Sequence, residues 1–145
     1  MKEKQLQDIT ALYGRLSRDD EVGGESMSIQ SQRAILGQYA KEHGFTNCQF
    51  FMDDGYSGTN FDRPAFTEMM ELVEQRRVRT IIVKDLSRLG RNYLEVGRYT
   101  EVIFPENKVR FIAITDGVDS AAGDNEFAPF KNIINEWYAK DISRK

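Results

Sequence analysis

Arg15 and Ser17, in the stretch YGRLS, stand two residues apart at the end of an apolar run that reads as a β-strand. Side chains alternate along a strand with period two, so this pair shares one side. A serine beside a guanidinium suits attack on a phosphate, because arginine offers planar bidentate donors to phosphate oxygens and stabilises developing negative charge. The competing reading is a strand end meeting solvent, and an R-x-S tripeptide by itself does not exclude it. SRLGRN places Arg88 and Arg91 three apart, on one face of an expected helix that follows a short β-branched run. Two like charges at one helix start favour an anion between them. The plain alternative is surface ion pairing with Asp85 or Glu95, each pair worth little. YSGTNFDRP adds Ser57, Gly58 and Arg63 on a loop; Gly58 can simply make the turn. An arginine at a helix N-terminus opposes the macrodipole, a small cost that a bound phosphate would reverse.

Other chemistries are limited by composition. Cys48 is the only cysteine and His43 the only histidine, so one chain cannot assemble a disulfide framework, a zinc cluster or a histidine-based triad. His43, in KEHGF, reads as a helix-end residue, Cys48 as a small buried apolar residue, and Met69 and Met70 as core. A formal net charge of -3 is unusual for a chain that holds nucleic acid unaided, although it permits a locally basic site. No segment approaches the roughly 18 consecutive apolar residues of a membrane span. The N-terminus, MKEKQLQDIT, lacks the apolar core of a signal peptide, so a cytoplasmic location and no membrane partner are expected.

The elements that must position these residues alternate along the chain. With 145 residues, one domain is expected. DITALYGRLS reads as a buried strand, followed by the polar loop RDDEVGGES. Ser28 is a plausible N-cap for the helix IQSQRAILGQYAKEHG, which Gly44 stops. NCQFFMD reads as a second strand, and Pro64 opens the helix PAFTEMMELVEQRR with an inward stripe of Phe66, Met69, Met70 and Val73. RTIIVKD is a third strand, LSRLGRNYLEVGRYTEVIFPEN is helical in pattern to about Pro105, and VRFIAIT is a fourth strand. This order predicts an α/β fold: a mainly parallel sheet of four to five strands with helices on both faces and sites at the carboxyl ends of strands. In the last segment, Asp124 caps a helix whose Phe127, Phe130, Ile134 and Trp137 recur every three or four residues. No stop signal ends it, so the chain is expected to be part of something longer, with a core at 1–124 and the start of a long helix at 125–145.

Taken in order, YGRLS, SIQSQR, DDGYSGTNFDRP and VKDLSRLGRN resemble the catalytic domain of the serine recombinases, the resolvase and invertase family. The resemblance runs from about Ile9 to the final helix. LYGRLSRDDE, with a longer loop before SIQSQR than small resolvases have, looks most like the large serine recombinases of integrative and transposable elements. The resemblance implies that Ser17 is the nucleophile, giving a 5'-phosphoserine and a free 3'-hydroxyl. It implies that Arg15, Arg88 and Arg91 hold the scissile phosphate, with Gln32, Ser57 and Arg63 in support. It implies double-stranded DNA as substrate, dimers or tetramers that exchange strands, specific DNA contacts from a C-terminal region, and no metal or nucleotide cofactor. One departure stands out: many small resolvases carry an aspartate where this chain has Ser87, and Asp85 lies two places earlier. With His43 far from these motifs in sequence, neighbouring arginines are expected to lower the serine's pKa electrostatically.

Two other readings remain at this level. One is a catalytically silent oligomerisation or regulatory module of the same fold, against which the joint presence of Ser17, Arg15, Arg63, Arg88 and Arg91 counts. The other is a phosphate-handling enzyme acting on a small substrate, for which Asp53 to Gly55 (DDG) is the only hint.

Overall fold

In the computed structural model, the described residues are 8–16, 28–54, 63–90 and 93–122. They form a five-stranded sheet in the order β2-β1-β3-β4-β5. β1 (Ile9–Leu16) lies between β2 (Cys48–Asp54) and β3 (Val78–Val83), and β3 pairs with β4 (Arg110–Ala113). These three pairings are parallel; only the two-residue β5 (Val118–Asp119) runs antiparallel, against β4. The mainly parallel α/β sheet expected from the alternating pattern is therefore present.

The central strands read as continuous apolar runs because both their faces are covered. From β1, Ile9, Ala11 and Tyr13 enter one core with Phe66, Met69 and Val73 of α2 (Pro64–Glu74). Leu86 and Leu89 of α3 (Leu86–Leu89), and Val96 of α4 (Tyr93–Arg98), join the same core. Leu12 points to the opposite face, against Leu36 and Ala40 of α1 (Ile29–Glu42), with Ile82 and Ile112. Met70 is only partly buried, so the inward stripe of α2 is Phe66, Met69 and Val73.

Local signals explain the boundaries. Ser28 caps α1, its Oγ accepting from the Ser31 amide at 3.1 Å, and Gly44 leaves the helix with φ 74°. His43 ends α1 with its ring stacked on Tyr39 at 3.9 Å. Cys48, expected to be buried, is exposed, because β2 is an edge strand and its first three residues face solvent. The long helix expected from Leu86 to Pro105 is not continuous. α3 ends after four residues at an extended Gly90 (φ 172°, ψ 167°), and helix is again present from Tyr93. Beyond α4 the backbone widens into a π-helical turn, Tyr99–Ile103, before α5 (Phe104–Glu106). Pro105 there has no amide to offer the Glu101 carbonyl, so the regular ladder fails where the turn widens. Asp124, Phe127, Phe130, Ile134 and Trp137 lie outside the described residues.

Strand order 2-1-3 puts a topological switch between β1 and β3, and the carboxyl ends of those strands are where open α/β sheets form crevices. Gly14, near that end of β1, has a packing reason for being glycine. A Cβ there would lie 2.6 Å from Met52 Sδ and 2.9 Å from Gln32 Oε1, whereas a Cβ on the helical Gly97 meets nothing within 4 Å. Gly14→Ala should therefore destabilise the fold by about 1–3 kcal/mol. Gly97→Ala should stabilise it by about 0.5–1 kcal/mol. Urea denaturation of the two variants checks both signs.

Candidate active site

The carboxyl end of β1 is held by side chains from both layers. Gln32 of α1 is fully buried and pairs with the Arg15 backbone as a strand would: the Arg15 amide donates to Gln32 Oε1 at 3.1 Å, and Gln32 Nε2 donates to the Arg15 carbonyl at 3.0 Å. Arg88 Nη1 donates to the same carbonyl, also at 3.0 Å. β3 pairs with β1 only as far as Tyr13, so Arg15 lies past the last β3 partner, and side chains complete the backbone's hydrogen bonding.

The Arg15 side chain is fully buried on the α3 side and returns the contact. Its Nη2 donates to the Ser87 carbonyl at 2.6 Å and its Nε to the Arg88 carbonyl at 3.3 Å. Arg63, also fully buried, donates from Nη1 to the Arg88 carbonyl at 3.2 Å and from Nη2 to the Leu89 carbonyl at 2.6 Å. The last carbonyls of a helix lack intrahelical partners and carry its partial negative charge, so cations suit them. α3 thus has two guanidiniums as its C-terminal cap and presents a third, Arg88.

Arg63 sits at the start of α2 without capping it. The charge that suits that helix start comes from Asp53, fully inside, whose Oδ1 accepts from the Ala65 amide at 2.9 Å and Oδ2 from the Phe66 amide at 3.0 Å. The helix-dipole cost expected at Arg63 is therefore met by Asp53 and by turning the guanidinium onto α3. Tyr13 joins the two groups, its hydroxyl donating to Asp53 Oδ2 at 2.8 Å and accepting from Arg63 Nη1 at 3.0 Å. Burial drives the Tyr13 hydroxyl well above the usual tyrosine range, with Asp53 adding to the rise, so it remains a protonated bridge. Burial lowers Arg63, opposed by Tyr13 and Asp53; Phe66 packs its ring 4.8 Å from the guanidinium.

Arg88 is nearly buried, and Asp85 stands beside it, Nε to Oδ2 at 3.6 Å. This pair is interior rather than a surface salt bridge. Asp85 also accepts from the Ser87 hydroxyl and pairs with Lys84 Nζ at 3.3 Å. Burial pushes Asp85 up, but the Ser87 hydroxyl, Arg88 and Lys84 outweigh it and hold the carboxyl below its usual range. A carboxylate depressed in the fold stabilises it at pH above the unfolded value and loses that contribution as pH falls through the folded value.

Of the residues singled out by sequence, Arg15, Gln32, Arg63 and Arg88 meet at the β1–β3 switch; Ser17, Ser57 and Arg91 lie outside the described residues. The helix that carries Arg88 ends at Leu89, before an extended Gly90. Residue spacing does not mark Tyr13 as site-forming, and it marks Asp53 only through the DDG stretch of the small-substrate reading. Tyr13 reads as one more apolar strand position, and a further signal for Asp53 is its place at a strand end ahead of a proline-started helix. Tyr13→Phe should cost about 1–3 kcal/mol, since it takes one partner from a buried carboxylate and one from a buried guanidinium. Asp85→Asn should flatten the loss of stability at acid pH. Chemical denaturation at neutral pH checks the first, and a melting series from neutral to acid pH the second.

The sequence of residues 10–145 matches the family model described as the resolvase N-terminal domain. The N-terminal catalytic domain of TP901-1 integrase has a similar fold, with a TM-score of 0.72 at 24% identity over 94% of this chain and 95% of that one. A resolvase family site-specific recombinase from Streptococcus pneumoniae gives a TM-score of 0.66 at 26% identity, over 95% and 89%. The catalytic domain of ISC1926 TnpA, an IS607-like serine recombinase, gives 0.60 at 25%, over 73% and 70%. No curated protein matches the chain. A family match over nearly all of the sequence, on a fold that gathers Arg15, Gln32, Arg63 and Arg88 at one sheet crevice, shows that the chain belongs to the resolvase family, with the fold of a serine recombinase catalytic domain.

Proposed function

We propose that this domain catalyses site-specific DNA strand exchange, with Ser17 as the nucleophile. The Ser17 oxygen forms a bond to the scissile phosphorus and gives up its proton; the bond from phosphorus to the 3'-oxygen breaks, and that oxygen takes a proton to become the free 3'-hydroxyl. The DNA 5'-phosphate is then carried on serine. Attack by a 3'-hydroxyl on the phosphoserine reverses the step and rejoins the strands after exchange within a tetramer. The phosphoserine conserves the bond energy, so the scheme requires no nucleotide cofactor, and it assigns no role to a metal.

The observation that carries this reading is the convergence of Arg15, Arg63 and Arg88 at the carboxyl ends of β1 and β3, with Ser17 only two residues beyond Arg15. Their positive field favours a serine alkoxide and the charge on a pentavalent phosphorus. Arg15 and Arg63 are anchored on α3 carbonyls, which suits them to building that field and holding Arg88 in place. Arg91 and Ser57 are assigned to phosphate contact, and Gln32 to fixing the backbone next to the nucleophile. The small-substrate reading draws no support from the DDG stretch, because both Asp53 oxygens are engaged by Tyr13 and two helix amides.

Ser17→Ala in the complete recombinase should bind duplex DNA carrying its recombination site as the unaltered protein does, yet form no covalent protein–DNA adduct on denaturing gels. An adduct that persists in this variant would sink the assignment. Arg88→Ala should slow adduct formation by roughly 100-fold or more, the scale of a lost transition-state charge contact.

A further inference from the structure

α3 has four residues, too few to hold itself together, and its two ends are fixed by different parts of the chain. Arg15 and Arg63 fix its C-terminal end. At its N-terminal end stands Asp85, a residue type that ordinarily caps a helix, yet its side chain does not. Asp85 is turned instead to the Ser87 hydroxyl, Lys84 and Arg88. The first amide of the helix, Leu86 N, donates to Asp116 Oδ2 at 2.7 Å. Asp116 comes from the turn between β4 and β5, 30 residues away.

We infer that Asp116 is a positioning residue for Arg88: by accepting the first amide of α3 from the β4–β5 turn it fixes the helix start on which Asp85 holds the Arg88 guanidinium. The inference rests on the strand-exchange reading only for its catalytic consequence. The division of labour between the two aspartates is a matter of the fold alone.

The groups facing Asp116 agree with these roles. Burial raises its carboxyl above the usual range; the Leu86 amide opposes the rise, the Asp85 charge adds to it, and Lys84 opposes it. Asp85 is held below the usual range by Ser87, Arg88 and Lys84 against its own burial. The two carboxyls are thus pushed apart. Asp85 keeps its charge toward Arg88 while Asp116 needs only an acceptor oxygen, so asparagine can replace Asp116 and alanine cannot.

The test uses Asp116→Ala and Asp116→Asn in the complete recombinase. Without DNA, Asp116→Ala should speed hydrogen exchange at the Leu86 amide roughly tenfold, the scale of a lost cap, and shift the Arg88 Nε–H resonance. Single-turnover cleavage should fall at least about tenfold with DNA affinity unchanged. Asp116→Asn should restore amide protection and bring cleavage to within about threefold of the unaltered protein. It should also remove the pH dependence that the raised Asp116 carboxyl confers on the Arg88 Nε–H signal. If the alanine variant does not fold, that titration and its loss in the asparagine variant decide the matter. Leu86 and Arg88 signals that ignore both variants and the titration would overturn the inference, as would an asparagine variant as slow as the alanine one. Failure of Ser17 as nucleophile would leave the resonance and exchange results standing, so the two ideas fail separately.

Discussion

The site depends on three backbone carbonyls at the end of a helix one turn long. Ser87, Arg88 and Leu89 have no helical residues after them to satisfy their oxygens, and buried guanidiniums from β1 and from the start of α2 do so instead. The contact between Arg15 and Arg88 is reciprocal, each side chain donating to the other's carbonyl. Two positive groups can sit this close because each answers a backbone oxygen and because Asp53 and Asp85 lie behind them. Removing either arginine takes one of two donors from a carbonyl belonging to the other, Gln32 and Arg63 supplying the second, so the two are energetically coupled.

Burial also explains how an acidic chain can hold a basic site. The net charge of -3 counts buried and exposed groups alike, and Arg15, Arg63 and Arg88 contribute little to the surface that solvent meets. Their charge is spent inward, on helix ends and on a tyrosine hydroxyl held protonated by burial. The domain's own outer field is therefore a poor guide to the potential in its crevice.

Much of this was legible from residue spacing. β-branched runs, the Ser28 cap, Pro64 at a helix start and Gly44 at a helix end gave the alternating order, and the parallel sheet followed from it. Arg15, Gln32, Arg63 and Arg88 stood out by type and order. What escaped was whatever depends on distant partners. Tyr13 and Asp53 are 40 residues apart, Leu86 and Asp116 are 30 apart, and no local period joins them. The break at Gly90 escaped for a related reason: the apolar spacing from Leu86 onward fits a helix, and only the guanidiniums waiting at its fourth residue make an early stop favourable. Cys48 was misplaced because an edge strand and a central strand share the same local pattern.

The reach of those guanidiniums bears on when the domain can act. Arg15 waits for oxygens 72 and 73 residues further along the chain. Contacts of such separation form late and slowly compared with helical ones. During synthesis, the first strand emerges long before α3 exists to receive its arginine, and the turn carrying Asp116 emerges later still. A nascent or partly folded chain thus has Arg15 but not the carbonyls that fix it. The arginine cluster is in this way tied to completion of the sheet, because it assembles only once β3 and α3 stand beside β1.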